Sequence, residues 1–217
     1  MSAQSPISPQ ILKGALVAYQ LPDLLPTLIV FQYNPEQVTR SLSGRTTSGG
    51  GRGDALRTDG PPQESISLSV EIDATDQLEQ PQQNGVTVDN GLHPVLAALE
   101  GLMYPSYPVV VANQVMALAG SAMILGEPAP LAMLIWGARR IVPVRVESLS
   151  ITEEAFDTQL NPMRAKVELS LQVMTYRDLD VTNPGYWVYM ASFTQKEVMS
   201  ALNLVDSASK IEGMLPL

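Results

Sequence analysis

From residue 65 to residue 72 the chain reads Ser-Ile-Ser-Leu-Ser-Val-Glu-Ile, an unbroken alternation of polar and apolar side chains. Successive side chains of a strand point to opposite faces. The pattern therefore puts Ile66, Leu68, Val70 and Ile72 on one face and Ser65, Ser67, Ser69 and Glu71 on the other. A helix would scatter the same residues around its axis, so the segment predicts a half-buried strand. The signal returns over residues 163–174, where Ala165, Val167, Leu169, Leu171 and Val173 alternate with Arg164, Lys166, Glu168, Ser170 and Gln172. Two such strands call for a sheet with one dry face and one wet face.

Other segments extend that sheet. Residues 13–20 and 27–33 are rich in Val, Ile, Leu and aromatic side chains and are punctuated by Pro22 and Pro26. Asn34-Pro35 forces a turn, because the residue before proline is pushed out of the helical region, and a third strand is expected over 37–43. An apolar strand over 131–137 and another over 140–150 are joined by the turn Gly137-Ala138-Arg139. Helical spacing is expected over 94–103, with a second helix over 109–125 and a third over 186–205 after the Asn183-Pro184-Gly185 break. Strands grouped before and after a helical insertion, without regular βαβ alternation, predict a mainly β (α+β) fold. An antiparallel β-barrel or sandwich with one or two flanking helices and a C-terminal helix fits best. The expected division is a barrel domain over 1–180, with a flexible Gly-rich loop at 46–62 and a helical insertion at 93–126, and a C-terminal helical extension over 181–217.

Charge narrows the partners. The 217 residues carry a net charge of −9, with a pI near 4.5 and no cluster of Lys and Arg, which disfavours nucleic acid and direct membrane binding. Charged residues make up only 16% of the chain against 45% hydrophobic, so much of the surface is neutral, as in a subunit packed among other subunits. Without cysteine there is no disulfide, thiolate metal site or thiol nucleophile. Residues 101–126 are uncharged, yet they contain Pro105, Pro108, Asn113 and Gln114 and are flanked by Glu100 and Glu127. They read as a buried or interface helix, not a membrane span. The opening MSAQSPISPQ has neither the basic nor the apolar region of a secretory signal.

Catalytic signals are thin, and no catalytic, cofactor-binding or metal-binding residue is assigned. The one histidine, His93, precedes Pro94 at a helix start and reads as a packing or capping residue. Asp73, Asp76 and Glu79 lack the glycine and dense oxygen ligands of a calcium loop and read as a solvated acidic edge. Glu153 and Glu154 are adjacent, so a strand sends them to opposite faces and spoils them as an acid/base pair. Ser207-Ala208-Ser209-Lys210 and Arg52-Gly53-Asp54 match short motifs by chance.

A set of ordered blocks carries a more specific likeness. Phe31-Gln32-Tyr33-Asn34-Pro35-Glu36, the segment ESISLSVEIDATDQL at 64–78, Gly91-Leu92-His93-Pro94, and Pro130-Leu131 to Trp136-Gly137 come first. Val142-Pro143-Val144-Arg145-Val146, Ile151-Thr152-Glu153-Glu154-Ala155-Phe156, and Leu160-Asn161-Pro162-Met163-Arg164-Ala165-Lys166-Val167 follow. In this order, over about residues 15–177, the chain resembles the tube-protein family of contractile, phage-tail-like injection systems. The resemblance implies a tube-type β-barrel assembled as a hexameric ring, without enzymatic activity or cofactor. It would connect the inner tube to the baseplate hub and spike and initiate tube assembly.

Implied partners are identical copies, the inner tube protein, the spike or hub protein and baseplate wedge proteins. The implied location is the cytoplasm on synthesis and then an assembled injection particle. Baseplate members of the family carry a LysM extension, and after Tyr176 this chain offers only a break and a helix. Alternatives are the main tube subunit of the same machine, or an enzyme or cargo effector. The resemblance marks Asn34, Pro35, Glu36, Trp136, Gly137, Glu153, Glu154, Phe156, Asn161, Pro162 and Arg164 as inter-subunit or structural positions. Tyr186 and Trp187 join them, because aromatic side chains at the start of the last helix suit docking to a neighbour or, equally, covering the open end of the chain's own barrel. For Pro35, Gly137 and Pro162, backbone geometry alone is an equal explanation.

Overall fold

The computed structural model describes residues 13–19, 26–45, 58–120 and 129–211. Its strands are β1 (Ala15–Tyr19), β2 (Thr27–Val30), β3 (Val38–Ser43), β4 (Gln63–Asp73), β5 (Leu131–Ile135), β6 (Ile141–Phe156) and β7 (Pro162–Val173). Its helices are α1 (Thr75–Leu78), α2 (Gly85–Asn90), α3 (His93–Glu100), α4 (Tyr107–Leu118) and α5 (Pro184–Ile211). All seven strands form one antiparallel sheet in the order β2-β1-β5-β6-β7-β4-β3. The mainly β architecture with flanking helices and a C-terminal helix follows the sequence pattern.

The alternating segments behave as their period requires. In β4, Ile66, Leu68, Val70 and Ile72 are buried, and in β7 so are Ala165, Val167, Leu169, Leu171 and Val173. The register sets Val70 opposite Val167 and Leu68 opposite Leu169, so the apolar side chains form cross-strand pairs on one face. Fully burying each such side chain contributes roughly 1.5–3 kcal/mol. Leu96, Leu99 and Leu102 from α3 and the turn after it join the same core.

Barrel closure differs from the expectation. Hydrogen bonding does not close the ladder; among the described residues β2 and β3 remain its two edges. The sheet curls instead until inner faces meet through side chains. Ile29 and Phe31 from the β2 side line one small space together with Val70, Ile72, Val167, Leu169 and the α3 residues Val95 and Leu99. The helix α3 packs against β2 and joins it to the β4 and β7 side chains within this curl.

Two short helices, α1 and α2, occupy the polar stretch after β4, where sequence periodicity gave no sign of them. The Gly-rich loop falls mostly outside the described residues, but its end is tied down. Asp59 donates its backbone N–H to the Arg45 carbonyl at 2.8 Å, and Arg177 binds the Asp59 carboxylate at 2.8 Å. The expected second helix is present as α4 up to Leu118, and its expected residues 121–125 lie outside the described residues. No helix among the described residues is long and apolar enough to cross a membrane.

Candidate assembly surfaces

The wet face of the sheet forms a trough. Across β3, β4, β7 and β6 the register builds rows of small and charged side chains. Thr39 faces Ser67, Ser67 faces Ser170 and Ser170 faces Ser148; Glu71 faces Lys166, and Lys166 faces Thr152. Three hollows of about 400, 370 and 310 Å³ run along it, the first and second sharing Gln37 and Ser69 and the second and third sharing Tyr33, Glu71 and Lys166. Asn34, Pro35 and Glu36 line the middle hollow, and Glu154 and Arg164 line the last. Five of the positions marked by the sequence are thus gathered on one surface.

The segment Phe31 to Asn34 staples that surface to the core. Phe31 is buried, and Gln32 Oε1 accepts the Asp73 backbone N–H at 2.8 Å. Tyr33 donates its hydroxyl to Asp76 at 2.9 Å, and Asn34 Oδ1 accepts the Gly14 N–H at 2.8 Å. Its bond to the Asp76 carboxylate, with a smaller desolvation effect, raises the Tyr33 pKa. Bonds from the Thr75 hydroxyl and backbone N–H, then from Arg164 at 2.9 Å, hold Asp73 below the usual carboxylate range. Arg164 is raised in return by the same partner. Among the described residues no group of three acidic or histidine side chains is arranged to hold a metal ion.

The remaining marked residues lie elsewhere. Glu154 pairs in register with Arg164, whereas Glu153 pairs with Ala165 and so belongs to the opposite face, as their adjacency requires. Asn161 and Pro162 close the β6–β7 hairpin. Asp157 accepts the Asn161 side-chain amide at 2.9 Å and the backbone N–H groups of Gln159 and Asn161, and its pKa is lowered, chiefly by the Asn161 side chain. The Pro162 carbonyl accepts the Leu92 N–H at 2.9 Å, docking the hairpin on the α2–α3 junction. Phe156 is exposed at this hairpin, and beside it Leu160 is 76% exposed at a φ of 66°.

Trp136 packs inside its own protomer. Its ring centroid lies 6.4 Å from that of Phe31, and a Cβ on Gly14 would come within 2.6 Å of it. Gly137, at φ 71°, makes the turn that follows. On α5 the aromatic residues divide: Tyr189 is buried in the core, while Trp187 is exposed and donates its indole N–H to the Val181 carbonyl at 3.0 Å. Tyr186 packs edge-on against Trp187 at 5.2 Å. The first half of α5 therefore packs its inner face on its own curled sheet.

Two features have no counterpart in the sequence pattern as read, and one expectation is corrected. Glu64 is only 4% exposed and occupies an inward position of β4, where the next inward residue is Ile66. Burial pushes its carboxyl up, but bonds from Lys196 and Arg40 outweigh that and leave it lowered. A charge in step with an apolar alternation was the available clue. The uncharged helix expected to be buried or at an interface is α4, YPVVVANQVMAL, and the buried alternative is corrected: it has no buried residue, with Tyr107 80% and Leu118 90% exposed. Last, the free edges carry exposed apolar side chains, Leu28 and Val30 on β2 and Leu42 on β3. Compared with known protein families, the chain matches no family model, and no curated protein matches it.

Proposed function

We propose that this chain is a ring-forming structural subunit of a contractile injection system, connecting the inner tube to the hub and spike of the baseplate and starting tube assembly. The observation that carries the reading is the pair of sheet edges left open among the described residues, β2 and β3, flanked by exposed Leu28, Val30 and Leu42. Unpaired edges with apolar side chains are an aggregation hazard in a lone protomer, and pairing with identical copies around a closed circle removes it. The uncharged surface of α4 supports the same reading, since contact between subunits would take it out of water. The polar trough needs no such cover and stays hydrated in the ring.

The partners on this reading are five further copies in a hexamer, the inner tube protein, the spike or hub protein and the wedge proteins. No chemistry is catalysed; the part transmits force and adapts one interface to the next. Native mass spectrometry of the purified chain should show a closed ring of six copies. Deleting its gene should abolish assembled particles, and its copy number per particle should match a single ring. A many-fold excess would make it the main tube subunit, and a monomer absent from particles would end the proposal.

A further inference from the structure

Glu64 is out of place for stability alone. It occupies an inward position of β4 beside Ile66, where a leucine would fit the pattern and no desolvation penalty would arise. Its two oxygens are shared between elements distant in the chain. Oε1 accepts Arg40 Nε at 2.8 Å and Nη2 at 2.5 Å, and Oε2 accepts Lys196 Nζ at 2.7 Å. Arg40 belongs to the edge strand β3, which among the described residues pairs only with β4, and Lys196 belongs to α5. Near Lys196 on α5, Tyr189 and Ser192 are buried. Seating α5 thus removes water from around the carboxylate, which strengthens its attraction for Arg40 as well as for Lys196.

We propose that the Arg40–Glu64–Lys196 triad couples the seating of α5 to the order of the β3 edge, so that a strand pairing along β3 tightens α5 over the curled sheet and release of α5 loosens the edge. The last step rests on the ring reading, in which β3 receives a neighbouring copy; the coupling itself does not. Such coupling is reciprocal, so it can be read from either end.

The test uses hydrogen exchange of the full chain in Arg40→Met, Glu64→Leu and the double variant. Arg40→Met should speed exchange of the α5 amides over residues 184–204 roughly tenfold, while the β6 and β7 amides keep their protection. In the Glu64→Leu background, where α5 rests on an apolar contact, Arg40→Met should leave α5 exchange unchanged. Equal exchange in Arg40→Met and wild type, or the same acceleration in both backgrounds, would overturn the proposal. If Arg40→Met does not fold, Lys196→Met with β3 amides as the readout decides it by the same criteria. Mass measurement of the same samples separates the readings: a ring without coupling removes this inference alone, and a monomer with coupling removes only the ring.

Discussion

At Gly91 a single missing methyl group decides how α2 meets α3. Its φ is +56°, and a Cβ there would lie 2.6 Å from the Pro162 carbonyl oxygen, which backbone cannot yield cheaply. Gly91→Ala should destabilise the protein by about 1–3 kcal/mol, read as a fall in the thermal midpoint of roughly 2–4 °C per kcal/mol. Glu64 makes a different kind of prediction. Its folded-state pKa is lowered, so its contribution is fully present above the ordinary carboxylate value of 4.5 and is lost as the pH falls through the lower, folded value. Urea midpoints measured while acidifying below that value should therefore fall more steeply for the wild type than for Glu64→Leu. Equal slopes would mean that the two cations do not hold the carboxylate ionised.

Element by element, β6 and α5 each depend on one local feature. In β6 the inward positions are Val142, Val144 and Val146, then Leu149 and Ile151, a change of parity that the irregularity between Val146 and Ser148 absorbs. Inserting one residue between Ser148 and Leu149 would send Leu149 and Ile151 to the trough and polar neighbours inward. That variant should lose cooperative unfolding in a denaturant titration, whereas Glu147→Ala should change stability by less than about 0.5 kcal/mol. For α5, Tyr189→Ala should cost about 3–5 kcal/mol because its ring is part of the core. Trp187→Ala, at an exposed site, should cost under about 1 kcal/mol. Similar losses from both would contradict a helix seated by its inner face.

Over the whole molecule, the curled sheet separates what must be buried within one protomer from what is left for others. The core is complete around β4, β7 and α3, yet Leu28, Leu42 and the face of α4 remain in water. Leu28→Lys and Leu42→Lys place charges beside the open edges without entering the core. Light scattering coupled to size exclusion should then report monomers with an unchanged thermal midpoint. Oligomers that survive both substitutions would place the contact between copies elsewhere.

Period-two patterning was enough to determine β4 and β7, their buried faces and the antiparallel class, because a side chain's face in a strand follows from its position alone. The parity break after Val146 was equally present in the sequence, as was the misplaced charge at Glu64. Other features were settled only in three dimensions. The docking of Pro162 on Leu92, the gathering of Asn34 to Glu36 with Glu154 and Arg164, and the sharing of Glu64 by Arg40 and Lys196 join residues far apart in the chain. So does the open strand order, which depends on how far the sheet curls and on what α3 fills. Local sequence fixes which way each side chain points; which surfaces then meet is a property of the packed whole.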